Sequence, residues 1–137
     1  MKNKLMIMLL SLFCLSGCNP TRKEIRQNIS MLQDREWHLL AIQKDTINNP
    51  YQQLPFIVFH ADGTFSGNSG CNLFFGSYYQ KRLKLQLTYE GSTKRLCEDM
   101  FLEEEMLRNL KKDISHFAIQ DSVLYLYAGK EEVLRFK

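Results

Sequence analysis

Phe59-His60-Ala61-Asp62-Gly63-Thr64-Phe65-Ser66-Gly67-Asn68-Ser69-Gly70-Cys71-Asn72-Leu73-Phe74-Phe75-Gly76-Ser77-Tyr78 is the stretch that decides how this chain folds. Asp62-Gly63 is hairpin-turn chemistry, because glycine takes the positive φ that a tight link between twisted strands needs. It ends the apolar run Phe56-Ile57-Val58-Phe59, within Pro55 to His60, and Thr64 to Asn68 is expected to return antiparallel. Four of the seven glycines, Gly63, Gly67, Gly70 and Gly76, lie in this stretch, where glycine marks a bend, a bulge or a close backbone approach. A phosphate-cradling loop is the rival. No Lys follows Gly70 or Gly76, no helix pattern follows, and neither GxGxxG nor GxxxxGK[ST] occurs, so nucleotide binding is set aside.

Outward from this stretch the chain reads mostly as strands. Trp37, Leu39 and Ala41 alternate with less apolar positions, and Leu83, Leu85, Leu87 and Tyr89 form a clean period of two. Leu73 to Tyr79, Phe117 to Ile119, Val123 to Tyr127 and Val133 to Phe136 supply further strands. A single convincing helix follows Asp99, a plausible N-cap, with Glu103, Glu104 and Glu105 in its first turns and Lys111 and Lys112 at its end, an order that suits the helix dipole. Phe101, Leu102, Met106, Leu107 and Leu110 form its expected apolar face, and the three glutamates are expected to be solvated. The fold class implied is α+β: a small, strongly curved antiparallel β-sheet, a partial barrel, with one packed α-helix.

At this point the residues resemble a known family. The Asp62-Gly63 turn, Ser66-Gly67, Gly70-Cys71-Asn72 and Gly76-Ser77-Tyr78 are similar to the signature of the META domain. Trp37-His38-Leu39 resembles its opening strand, Thr93-Lys94-Arg95-Leu96-Cys97 its T-x-x-x-C segment, and Leu124-Tyr125-Leu126 with Leu134-Arg135-Phe136 its closing strands. Glu104 or Glu105 and Leu110 suit its helix, while Ser92 stands where the family often has Met. The resemblance covers about Trp37 to Phe136. It implies a compact α+β fold, no established catalytic activity, and links to envelope stress, motility or secretion, or drug tolerance.

The N-terminus reads as an address. Lys2 and Lys4 precede an apolar run from Leu5 to Leu15, interrupted only by Ser11, and Leu15-Ser16-Gly17-Cys18 resembles the bacterial lipobox. Eleven residues reach only about half of a ~30 Å hydrocarbon core, so a spanning helix is not expected. Residues 1–17 are expected to be a lipoprotein signal peptide, Cys18 the lipidated residue, 18–35 a tether and 36–137 the folded domain. For the tether a solvated linker is preferred, although Ile25, Ile29 and Leu32 have helical spacing. Asn19 favours the outer membrane. The expected location is the cell envelope, lipid-anchored and facing the periplasm or the surface.

Cleavage removes Cys14 and lipidation occupies Cys18, which leaves Cys71 and Cys97 in an oxidising compartment. An even remainder of two fits one disulfide across 26 positions; two separate buried thiols are the alternative. Cys97, between Lys94-Arg95 and a helix entrance, is also the candidate nucleophile of a thiol-dependent or hydrolytic enzyme. Such a nucleophile needs a positioned base. His38, His60 and His116 are widely spaced, outside any recognisable nucleophile motif, and without HxxxH or CxxC, so no zinc or other cofactor is expected. Asp62 is expected to serve its turn, and Asn72 to bond a neighbouring loop backbone rather than a ligand. Trp37, Tyr78 and Thr93, with the glycines, are read as structural members of the motif.

The chain has 137 residues, 45% of them apolar, with 18 basic and 15 acidic side chains, enough for one domain. Its mild basicity is uneven. Without Lys2 and Lys4 sixteen basic residues face fifteen acidic, and from Glu36 onward twelve face thirteen. The excess belongs to the signal and the membrane-proximal stretch, and nucleic acid is not an expected partner. The expectation is a non-enzymatic envelope lipoprotein that binds an envelope protein or, inside the curved sheet, a lipid-like ligand.

Overall fold

The structure is a computed structural model that describes residues 21–47 and 54–137. The expected signal peptide and Cys18 lie outside the described residues.

The chain opens with α1 (Arg22–Leu32), followed by β1 (Glu36–Ile42), β2 (Asp45–Thr46), β3 (Phe56–Phe59), β4 (Thr64–Asn68), β5 (Leu73–Lys81) and β6 (Lys84–Ser92). Then come α2 (Phe101–Leu110), β7 (His116–Gln120), β8 (Val123–Ala128) and β9 (Glu131–Phe136). All pairings between the described strands are antiparallel. From β3 each strand pairs with the next, and β1 pairs with β3 through Glu36–His38 and with β9 through Leu39–Ile42. The sheet therefore returns on itself as a ring. Its narrowest seam is β6–β7, where Lys84 opposite His116 is the one register pair. The α+β curved sheet expected from the sequence is present.

Alternation explains the strands. Along β6, Leu85 is buried between exposed Lys84 and Gln86, and along β1 Trp37, Leu39 and Ala41 point inward. The interior is occupied by large side chains, among them Trp37, Phe59, Phe65, Phe74, Phe117 and Phe136, each at most 1% exposed. The core cluster runs from Leu32 to Phe136, so the described chain carries its own core. Gly67 and Gly76 make the tight curvature sterically possible. Gly67 sits opposite Phe74 and Gly76 opposite Phe65 in the β4–β5 register. A methyl group on Gly67 would collide with the Phe56 carbonyl and the Phe74 ring, and one on Gly76 with the Thr88 carbonyl and the Phe65 ring.

Antiparallel order sorts the connections onto two rims. The β3–β4, β5–β6 and β7–β8 hairpins share one rim; the 69–72 turn, the 93–100 segment and the β8–β9 hairpin share the other. α1 enters β1 at the first rim, where Asp34 N donates to the Phe59 carbonyl at 2.8 Å, and it packs on β7. α2 packs on β9 and β1.

Four expectations are corrected here. The stretch preferred as a solvated linker holds a helix, so the described residues form two helices rather than one. Thr21 and Glu24 form a capping box, with Thr21 N to Glu24 Oε2 at 2.6 Å. Ile25 and Leu32 bury against the ring, and that burial holds a helix too short to persist alone. The N-cap of α2 is Met100 rather than Asp99, whose Oδ1 instead accepts from Phe101 N at 3.0 Å. Phe101 is 70% exposed rather than part of the apolar face. Glu103 is buried rather than solvated, for reasons given below.

Candidate functional site

Of the residues singled out by the sequence, Gly70, Cys71, Asn72, Thr93 and Cys97 come together on one rim, where the 69–72 turn, the 93–97 segment and the first turn of α2 meet. Glu103 occupies the third position of α2 and is 6% exposed. Its Oε2 accepts from Ser69 Oγ at 2.6 Å, Asn72 N at 2.8 Å and Cys71 N at 3.3 Å, and its Oε1 accepts from Asn72 Nδ2 at 2.7 Å. Burial disfavours the ionised carboxyl. The bonds from Ser69, Asn72 and Cys71 outweigh that cost and hold its pKa below the ordinary carboxylate value. Asn72 carries the network onward, its Oδ1 accepting from Arg95 N at 2.7 Å and Thr93 Oγ1 at 2.8 Å, while Nδ2 also reaches the Arg95 carbonyl at 3.1 Å. The backbone-bonding role expected of Asn72 is present.

Gly70 lies in the same turn, its N–H donating to Asn68 Oδ1 at 2.7 Å. Beside the network Cys71 and Cys97 form a disulfide with Cα atoms 6.1 Å apart, inside the range such a bridge requires. The sulfur proposed as a nucleophile is therefore committed to a bond in this state.

The remaining motif residues act elsewhere. Trp37 is fully buried, and its indole N–H donates to the Leu32 carbonyl at 2.9 Å, tying α1 to β1. The Arg35 guanidinium stacks 4.3 Å from the centre of the same ring. Asp62 Oδ1 accepts from Thr64 Oγ1 at 2.6 Å and Thr64 N at 2.9 Å, which lowers its pKa and closes the turn that Gly63 completes. Tyr78 donates to the His60 carbonyl at 2.6 Å and accepts from Gln33 Nε2 at 2.9 Å. Burial pushes its phenol pKa up, against the Gln33 bond.

Two groupings were not read from the sequence. Ser69, fully buried, belongs to the Glu103 network. His60 Nε2 and Ser66 Oγ lie 2.8 Å apart, a contact that resembles a base and a nucleophile. The neighbouring carboxylate, Asp62, spends Oδ1 on Thr64. Among the described residues no group of three or more His, Cys, Asp or Glu side chains is arranged to hold a metal ion. No described helix is long and apolar enough to cross a membrane.

The fold is shared. The NMR structure of a protein from Burkholderia xenovorans superposes with a TM-score of 0.62 at 25% identity, covering 79% of this chain and 83% of that one. A second NMR structure gives 0.59 at 24% identity, with 79% and 92% covered. No curated protein matches the chain. Residues 30–137, which hold the glycine-cysteine stretch, the Glu103 network, the disulfide and the whole ring of strands, match the META domain, and the chain belongs to that family.

Proposed function

We propose that this protein is a lipid-anchored envelope lipoprotein, attached through Cys18, whose META domain binds or steadies another envelope component without catalysing a reaction. The observation that carries this reading is the use made of its most reactive-looking groups. Cys97 is bonded to Cys71, both oxygens of Glu103 are engaged, and both ends of the Asn72 amide are taken. Such groups hold a shape rather than await a substrate. The shape presents apolar side chains to solvent near this rim: Leu96 at 97% exposure and Phe101 at 70%, with Leu73 and Phe75 on β5. Exposed apolar groups of this kind fit contact with a partner surface. An envelope protein is the favoured partner, because large side chains occupy the interior where a lipid-like ligand would sit.

The anchor is tested by growth with labelled palmitate, which is expected to label the chain and to fail with Cys18→Ser. A photo-crosslinker at Leu96 in the intact envelope is expected to give one reproducible adduct that weakens with Phe101→Ser. No adduct, or the same adducts from position 130, would end the binding reading. The alternative is a thiol-dependent or hydrolytic enzyme using Cys97. It is tested by alkylating the intact, non-reduced domain before and after unfolding: a fast-reacting Cys97 in the folded domain would favour it, and Cys71 and Cys97 unlabelled even after unfolding would remove a resting thiol nucleophile.

A further inference from the structure

Charge is not spread evenly over the two rims. Leaving aside the Arg135–Glu132 ion pair, the α1 rim holds eight Lys and Arg side chains against five carboxylates, and the opposite rim holds seven against nine. Two elements supply most of the excess. The outer face of α1 presents Arg22, Lys23 and Arg26, all exposed, while Ile25 and Leu32 bury on the other side. The β5–β6 hairpin presents Lys81, Arg82 and Lys84, also exposed, and is held in place because Leu83 between them packs on the core. In sequence the hairpin is some sixty residues from α1. The antiparallel order of the ring returns it to the same rim.

The carboxylates at this rim reduce the excess without cancelling it, because they are fewer than the basic side chains. Glu24 is used in the α1 capping box, Asp62 in its turn, and Glu36 lies 3.3 Å from His38. Asp34 and Asp121 are the other two.

Chain length places this rim relative to a membrane. Thr21, where the α1 cap begins, is only three positions after Cys18, and three steps of chain span at most about 10 Å. A lipid on Cys18 would therefore leave the α1 rim within a Debye length or so of the headgroups, close enough for charge to act with little screening.

We propose that the α1 rim, through Arg22, Lys23 and Arg26 on α1 and Lys81, Arg82 and Lys84 on the β5–β6 hairpin, is a docking face for an anionic phospholipid surface. This rests on the lipid-anchor reading for its biological setting, but the charge and the geometry are properties of the domain alone. Docking on this face turns the opposite rim, with Leu96 and Phe101, away from the bilayer. The domain then stands on the membrane in one orientation instead of swinging on a flexible tether.

The test uses the chain from Asn19 to Lys137, which lacks Cys18 and retains the whole described core. Its co-sedimentation is measured with vesicles of phosphatidylcholine alone and of phosphatidylcholine mixed with phosphatidylglycerol. Binding to the anionic vesicles only is expected, and high salt is expected to abolish it. Lys81→Gln/Arg82→Gln/Lys84→Gln is expected to weaken it roughly tenfold or more. Lys44→Gln/Lys94→Gln/Lys130→Gln, on the opposite rim, is expected to leave it unchanged. No binding, equal binding to neutral vesicles, or equal loss from the two triple variants would overturn the proposal. Failure here leaves palmitate labelling of Cys18 untouched, so the docking face and the anchor fall separately.

Discussion

Asn72 and Glu103 grip each other twice, the backbone N–H of Asn72 donating to Oε2 at 2.8 Å and its side-chain amide donating to Oε1 at 2.7 Å. Thirty-one positions separate them in the chain. The effect is to fasten the 69–72 turn to the first turn of α2, with the carboxylate where the helix dipole also favours negative charge. A glutamate at the third helical position commonly folds back to cap its own helix, as Glu24 does in α1. Glu103 reaches across to another element instead.

Glu103→Gln keeps the size of the side chain and removes the charge. One carboxylate oxygen becomes an NH₂ group that faces the N–H donors of Asn72 and Cys71 or the hydroxyl of Ser69, leaving buried donors opposed. The expected loss is about 1–3 kcal/mol, and urea unfolding should show a lower midpoint with an unchanged slope. Glu104→Gln, on the exposed side of the same helix, should stay within about 0.5 kcal/mol.

The lowered pKa of Glu103 fixes the sign of its pH dependence. The unfolded chain binds a proton on this carboxyl near the ordinary value of 4.5, and the folded chain binds it only at lower pH. The stabilisation is therefore complete above that ordinary value and is lost as pH falls through the folded value. Unfolding curves from neutral to acid pH should show the wild type and Glu103→Gln converging as the solution is acidified. A gap that stayed constant would contradict the assignment.

The Cys71–Cys97 bridge closes a loop of 26 positions between the same two segments that Asn72 joins to the 93–95 backbone. In the chain-entropy account, replacing both cysteines with serine should cost about 3–4 kcal/mol. Because the bridge and the Glu103 network hold common elements, combining the serine pair with Glu103→Gln should depart from additivity by about 0.5 kcal/mol or more. Thermal melts with and without reductant provide the first measurement, and the four-way cycle in urea the second.

What the sequence revealed follows from which forces are local. The Leu83–Tyr89 alternation, the Asp62-Gly63 turn and the spacing of Cys71 and Cys97 are each visible within a short window. Ring closure is not, because nothing near Leu39 announces that Phe136 will lie opposite it. Glu103 was half visible. It stands in register with Met106, Leu107 and Leu110 at i+3, i+4 and i+7, the buried stripe of α2, whereas Phe101 falls off that stripe. Counting three adjacent glutamates as one solvated face hides this, and the partners that make burial tolerable lie 31 and 34 residues earlier. The α1 stripe of Ile25, Ile29 and Leu32 was likewise legible as periodicity. Its stability was not, since that depends on Trp37 and the ring.

Trp37 supplies the last test, because it is where α1 and the ring become one body. Its indole N–H satisfies the Leu32 carbonyl, one of the last of the helix and without a partner further along it. Trp37→Phe removes the donor, leaves that carbonyl unpaired in a buried setting and opens space beside it. The combined cost should be about 2–4 kcal/mol. The location of the damage is more telling than its size. Amide exchange should rise across Arg22–Leu32 well before it rises in β5 and β6, whose pairing does not involve Trp37. Uniform loss of protection over the whole chain would mean instead that α1 has no stability separable from the ring.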